Sequence, residues 1–244
     1  MILECDIGNS RCKWRVIEAA GGLIDSGVLI NSEGFGPLAA LSYDVTRIRA
    51  VSVARPDVAE SFQRAVSVGD NVGDVEVEFA VVNPQCEGVQ CAYEQPERLG
   101  VDRWSAVVAA YRDYGAALVI DVGSALTVDL VDGDGRHLGG YIVPGIELMK
   151  SSLLTDTGQV RFDDGDSQGG IGFGASTQRA VNAGVLAAQM GLVDVAIREA
   201  EKQVSSGFAI LMTGGGAAAV HRYMAGDVIA VPALVLDGLQ WLLP

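Results

Sequence analysis

Two stretches far apart in the chain share one pattern: ILECDIGNSRCKWRVIE at 2–18 and ALVIDVGSALTVDLVDG at 117–133. Each runs apolar strand, Asp, apolar residue, Gly, small polar residue, then a second strand. Each continues through a glycine turn, Gly21-Gly22 or the DGDG of 132–135, into a third apolar run. A duplication of this kind requires two similar α/β units, each built on a meander of three strands. It sets Asp6 and Asp121 in matching places, each at the end of a buried strand.

The remaining pattern fits that frame. After the first meander (1–7, 11–18, 23–30) it reads strand 48–53, helix 57–66, strand 75–82, an aperiodic loop 83–95, and a helix over 96–111 opened by Pro96. After the second (116–120, 128–131, 137–143) come a helix over 146–154 and a segment, 155–172, rich in Asp, Gly, Ser and Gln, which reads as exposed and mobile. A long helix over 175–204 follows. A strand at 208–212 then runs into Thr213-Gly214-Gly215-Gly216, and helices near 217–225 and 233–243 flank a last short strand.

The turns themselves suggest chemistry. A glycine lets backbone approach a ligand closely, and successive N–H groups form a concavity for anions. An acid at the strand end can hold a hard cation through oxygen. Taken singly, an Asp-x-Gly is more often a hairpin turn; the pair, each after a buried strand, points to a clamp on a nucleoside triphosphate. Thr213 to Gly216, between a strand and a helix, offers a third place for a phosphate or a flat ring. Neither GxxxxGK[ST] nor a GxGxxG after the first strand occurs, so a nucleotide site here is of another design.

Composition limits the partners. The net charge is −14, with 49% hydrophobic and 20% charged residues, as in a folded globular protein. That acidity argues against nucleic acid or an anionic membrane surface as partner, yet a nucleotide can still be held by backbone N–H groups, a lysine and a cation. The N-terminal residues show no basic region followed by an apolar stretch, and no run of about 18 uncharged apolar residues stands out. A cytoplasmic protein without a membrane span is the expectation. Cys5 and Cys12, on apolar strands, read as small buried hydrophobes. Cys86 and Cys91 have no further cysteine or histidine pair to complete a zinc pattern.

An N-terminal DxGN, a repeated DxG-S/T turn and a late TGG resemble the phosphate-1, phosphate-2 and adenosine motifs of the acetate kinase, sugar kinase, Hsp70 and actin superfamily. The set DIGNSRCK (6–13), GVDR (100–103), DVGSALT (121–127), GGYIVPG (139–145) and TGG (213–215) resembles type III pantothenate kinases, in order, over nearly the whole chain. The resemblance implies an α/β fold of two similar ribonuclease H-like domains, the duplicated actin-like ATPase fold, facing an interdomain cleft. Residues 1–113 would carry the phosphate-1 turn and 114–244 the phosphate-2 and adenosine motifs. It implies ATP-dependent phosphorylation of the primary hydroxyl of pantothenate, the first step of coenzyme A synthesis, in a homodimer.

The resemblance also assigns residues. Asp6, Ile7, Gly8, Asn9, Ser10, Arg11, Cys12 and Lys13 match the segment on the ATP phosphates, with Asp6 on Mg²⁺. Ser124 stands where relatives usually have a threonine touching ATP, and Gly214 and Gly215 match the adenosine motif. Asp121 matches a ligand for K⁺ or NH₄⁺. Asp102 matches the proton acceptor, and Tyr93, Gly100, Val101, Asp102, Arg103 and Thr177 match pantothenate contacts. An aspartate is a weak base toward an alcohol, so Asp102 is expected to orient the hydroxyl and take its proton late.

Gly216 departs from the acid usual after the two glycines. His137 and His221 lie outside the motifs and are expected to be exposed or capping; Trp104 and Tyr111 are expected in the core. Without the resemblance, VDRW at 101–104 reads equally as a solvated Asp–Arg pair on an amphipathic helix. Two other functions fit the same fold: a catalytically weak homologue serving as an accessory factor in transcription, or a kinase for another small substrate. Retention of Asp6, Lys13, Asp102, Arg103 and Asp121 together argues against an inert protein.

Overall fold

A computed structural model describes residues 1–67, 75–156 and 170–244. The chain forms two compact units, Met1–Arg112 with Ala233–Pro244, and Asp113–Pro232. The elements of the first are β1 (Ile2–Ile7), β2 (Arg11–Ile17), β3 (Leu23–Ile30), a short α1 (Gly36–Ala39), β4 (Arg47–Ser52), α2 (Pro56–Ser67), β5 (Val77–Phe79), β6 (Gln85–Cys86), β7 (Val89–Gln90) and α3 (Val101–Tyr114). The second holds β8 (Ala117–Val122), β9 (Ala125–Val131), β10 (His137–Pro144), α4 (Ile146–Asp156), α5 (Thr177–Gln203), β11 (Ala209–Thr213), α6 (Ala217–His221) and β12 (Val228–Ala230). A last helix, α7 (Leu234–Leu242), belongs to the first unit.

The duplication is plain in the sheets. One runs β3-β2-β1-β4-β5 and the other β10-β9-β8-β11-β12. In both, the first strand pairs antiparallel with its hairpin partner on one side and parallel with a later strand on the other: β1 with β2 and β4, β8 with β9 and β11. Each Asp-Gly turn therefore leaves the middle strand of a five-stranded sheet.

Strand alternation sorts the side chains of β1. Leu3, Cys5 and Ile7 enter a core with Phe35, Leu38, Ile48, Phe62 and Val66. Glu4 lies on the opposite face with no solvent exposure. Its carboxylate meets Arg15 Nε of β2 at 2.5 Å and Arg49 Nη2 of β4 at 2.6 Å. Arg15 continues to Asp237 at 2.6 Å and to the Leu236 carbonyl, and Arg49 donates to the Leu243 carbonyl. These bonds fasten α7 to the first sheet. Ser105 Oγ of α3 also donates to Val235 O at 2.7 Å, and a Cβ at Gly238 would run into the Ser105 backbone. The motif order predicts 233–244 as part of the second half; the chain instead groups these residues with the first unit, held there by the buried charges of β1, β2 and β4.

In the second unit Leu118, Ile120, Val122, Leu126, Val128 and Leu130 pack against Leu186, Val193, Ala196 and Ala200 of α5. By length and composition alone α5 is long and apolar enough to cross a membrane, as the core helix of a folded unit also can be, and part of it is buried in this unit. His137, read as exposed or capping, is buried, with Nε2 2.9 Å from Asp129 Oδ1, beside a register shift in the β9–β10 ladder.

Other boundaries moved for local reasons. The strand read at 75–82 shortens to β5. The loop at 83–95 contains the β6–β7 hairpin, whose turn residues Glu87 (φ 48°) and Gly88 (φ 85°) both take the left-handed conformation of tight hairpin turns. The helix read from Pro96 divides into a 3₁₀ turn at Pro96–Arg98 and α3. Of the segment 155–172, residues 157–169 lie outside the described residues.

Removing the Glu4 carboxylate leaves two arginines facing a buried void. Glu4→Ala is expected to destabilise the protein by about 3–5 kcal/mol, read as a lowered urea midpoint. Asp237→Ala, on the more exposed side of Arg15, should cost about 1 kcal/mol or less. Equal losses would contradict the central place given to Glu4.

Candidate active site

The first unit supplies two groups of residues. Asp6 is next to last in β1 and lies directly across from Lys13 of β2. Cross-strand partners hold their Cβ atoms about 5 Å apart on one face, so an acid and an amine stand side by side where β1 ends. Both are half-buried, while Asn9, Ser10 and Arg11 are exposed in and beside the turn. Ile7 and Cys12 are fully buried in the core, so what either can offer a ligand is backbone. Burial, then the neighbouring Cys12 thiol, pushes the Cys5 thiol well above its ordinary value, and the two cysteines behave as the small apolar residues expected of them.

The turn is held from several directions. Gly8 N donates to Arg11 O at 3.0 Å. Asn9 reaches the segment after β4, its Oδ1 accepting from Arg55 N at 3.2 Å and its Nδ2 donating to Val53 O at 3.4 Å. Asn31 Nδ2 donates to Gly8 O at 2.8 Å.

The second group opens α3. Gly100 O accepts from Trp104 N at 3.0 Å, which makes Gly100 the residue capping the helix. Asp102 sits in the first helical turn, where the helix dipole favours a carboxylate, and Oδ1 accepts from Arg103 N at 2.8 Å. A Cβ at Gly100 would lie 2.6 Å from that Oδ1; only glycine leaves the carboxylate its place. Val101 beside it is half-buried. Arg103 is 7% exposed and donates through Nη1 to Tyr93 Oη at 3.1 Å. An arginine this buried is not half of a solvated surface pair, and it joins Tyr93 of the preceding loop to GVDR. Trp104 is fully buried, as expected of a core residue.

The second unit repeats the turn with one residue fewer. Asp121 is next to last in β8 and half-buried, as Asp6 is in β1. Gly123 N donates to Ala125 O at 2.9 Å, and Ser124 is exposed. Gly145, after β10, donates its N–H to Ser124 O at 2.9 Å. The glycine run after β11 closes on the same place. Gly214 has φ 95°, and a Cβ there would run into Asp121 Oδ1 and Val122 O. Gly215 is exposed, and Gly216 N donates to Val122 O at 2.9 Å. A Cβ at Gly216 would lie 2.9 Å from Val122 Cγ1, a packing reason for glycine here. Thr177 is exposed in the first turn of α5, next to the capping Ser176. No group of three or more metal-ligating side chains occurs among the described residues.

A family model described as type III pantothenate kinase matches residues 2–199. This chain belongs to the type III pantothenate kinase family. It is 40% identical to the type III pantothenate kinase of Ectopseudomonas mendocina, over 98% of this chain and 97% of that one. It is 38% identical to that of Chromohalobacter salexigens, over 100% and 88%. Among solved structures, it aligns with a Baf family protein of Campylobacter jejuni that carries the label of transcriptional activator (TM-score 0.61, 22% identity, 98% and 95% covered). A Sinorhizobium meliloti protein labelled a 2-dehydro-3-deoxygalactonokinase aligns at TM-score 0.53 and 14% identity, over 98% and 97%. At these identities the structures speak to fold alone, and the fold is the duplicated actin-like one of the sugar kinases, with two α/β units of like topology.

Asn31 and Gly145 secure the two turns, and no local sequence signal marks either role. Asn31 lies outside every motif, and only the β2–β3 pairing brings it back to Gly8. Gly145 lies within GGYIVPG, and only the β9–β10 pairing brings it back to Ser124. Gly100→Ala must displace the Asp102 carboxylate, and turnover is expected to fall about 10- to 100-fold with an unchanged circular dichroism spectrum. A rate within twofold of the parent would show that the position of this carboxylate matters little.

Proposed function

We propose that this protein transfers the γ-phosphoryl group of ATP to the primary hydroxyl of pantothenate, releasing ADP and 4'-phosphopantothenate. Full-length membership in the kinase family supports the reaction. The observation that carries the residue roles is the Tyr93–Arg103 bond, which secures a buried arginine beside Asp102 at the start of α3.

In this reading the hydroxyl of pantothenate is oriented by Asp102, and its proton passes to the Asp102 carboxylate as the new O–P bond forms and the bond to the β-phosphate oxygen breaks. Arg103, Tyr93, Gly100, Val101 and Thr177 hold pantothenate. Lys13 and the backbone of 6–13 hold the ATP phosphates; Ser124, Gly214 and Gly215 contact the nucleotide. The donor set fits such a ligand: Asp6 and Lys13 are cross-strand partners that put a carboxylate and an amine on one face, and Gly214 packs its backbone directly against the Asp121 carboxylate, where only glycine fits. Asp6 would hold Mg²⁺, and Asp121 would hold K⁺ or NH₄⁺. A bound divalent cation neutralises charge on the transferring phosphoryl group, and positioning and neutralisation are most of phosphoryl-transfer catalysis.

We further place the protein in the cytoplasm, where ATP and pantothenate meet, as a homodimer without nucleic-acid or membrane partners. The long apolar α5, whose most apolar stretch is only partly buried, supports a partner copy. The similarity to a transcriptional activator is one of fold and adds nothing to a regulatory reading.

Release of ADP should depend on added pantothenate, and Asp102→Asn should lower it about 100-fold or more while ATP still binds by calorimetry. ADP release indifferent to pantothenate would refute the substrate. Replacing K⁺ with Na⁺ should raise the KM for ATP; equal activity in the two salts would remove the cation role of Asp121.

A further inference from the structure

Asn31 follows the last residue of β3 and makes two bonds to the first Asp-Gly turn. Its side-chain Nδ2 donates to Gly8 O at 2.8 Å, and its backbone N–H donates to Ser10 O at 3.0 Å. Both carbonyls flank the part of the turn, 8–10, that joins β1 to β2. A turn that receives phosphate must present N–H groups and turn its carbonyl oxygens aside, because their partial negative charge opposes the anion. Asn31 takes hold of two such oxygens.

The second unit contains the backbone half of this device. Ser124 is the last residue before β9, as Ser10 is the last before β2, and its carbonyl accepts from Gly145 N, the first residue after β10. There the approach is so close that a Cβ at Gly145 would run into the carbonyls of Gly123 and Ser124. In the first unit the longer turn leaves room, and the Asn31 amide fills it. Asn31 Oδ1 is buried and meets no hydrogen-bond donor among the described residues. A buried acceptor left bare costs stability, so the side chain is poorly explained as a stabilising residue. It is well explained by the carbonyl it holds.

We propose that Asn31 is a positioning residue for the phosphate-1 turn, holding the Gly8 and Ser10 carbonyls away from the ATP phosphates. The proposal rests on the reading of 6–13 as the phosphate site. Steady-state kinetics of the full chain test it with three variants. Asn31→Ala is expected to raise the KM for ATP about fivefold, the loss of one hydrogen bond, with kcat and the KM for pantothenate within twofold. Asn31→Asp has the same shape, cannot donate when ionised, and sets a negative charge beside the turn. It should raise the KM for ATP further than alanine does, an order that loss of packing alone would not produce. It also serves if the alanine variant fails to fold. Lys13→Ala is the reference: if it raises the KM for ATP and neither Asn31 variant does, the positioning role is wrong and the phosphate site stands. If all three leave that KM unchanged, the phosphate site itself is wrong. A change confined to the KM for pantothenate would overturn the proposal as well.

Discussion

Glu4 has no contact with solvent, and the first unit is arranged so that its carboxylate is never unpaired. Arg15 comes from the strand on one side of β1, Arg49 from the strand on the other. The same two arginines reach α7 through Asp237 and the carbonyls of Leu236 and Leu243. One buried acid thus fixes the lateral order of three strands and the seat of the last helix. An apolar residue at position 4 would fit the face of a sheet equally well; an acid there fits only where both arginines converge, and such a demand selects one arrangement over its neighbours.

The candidate phosphate-site residues stand two positions further along that ladder, on the same face. Asp6 and Lys13 pair across β1 and β2 just as Glu4 and Arg15 do, so the bonds that set the register of the buried pair also set that of the site. Arg15 is occupied by Glu4 and Asp237, while Lys13, two residues earlier on the same face of β2, stands nearer the turn. In the second unit Val119 and Asp129 stand where Glu4 and Arg15 do, and the turn after Asp121 is shorter by a residue. Duplication has kept the topology and the acid at the strand end while changing what surrounds them.

The residues at the start of α3 are placed on another principle. Asp102 is placed by a helix start, not by a strand, and Gly100 matters for the side chain it lacks. Arg103 is buried, so its charge is directed by Tyr93 instead of being spread into water. A carboxylate held in the first turn of a rigid helix can meet a hydroxyl with little reorganisation, which is what a weak base needs to be useful.

The repeated strand, Asp and glycine turn told of two like α/β units from residues alone, because strand alternation and turn chemistry are local properties of adjacent side chains. The motifs from 6–13 to 213–215 gave family and candidate site for the same reason: each lies within a few residues of itself. Long-range pairing was another matter. That α7 belongs with the first sheet depended on Asp237 meeting Arg15, more than two hundred positions apart, and nothing local in VLDGLQW records it. The burial of His137 against Asp129, the bond from Tyr93 to Arg103 and the bonds from Asn31 to Gly8 and Ser10 are of that kind too. Sequence determined which residues could do the chemistry; the tertiary structure decided which of them are held, because a hydrogen bond depends on distance in space and not on distance along the chain.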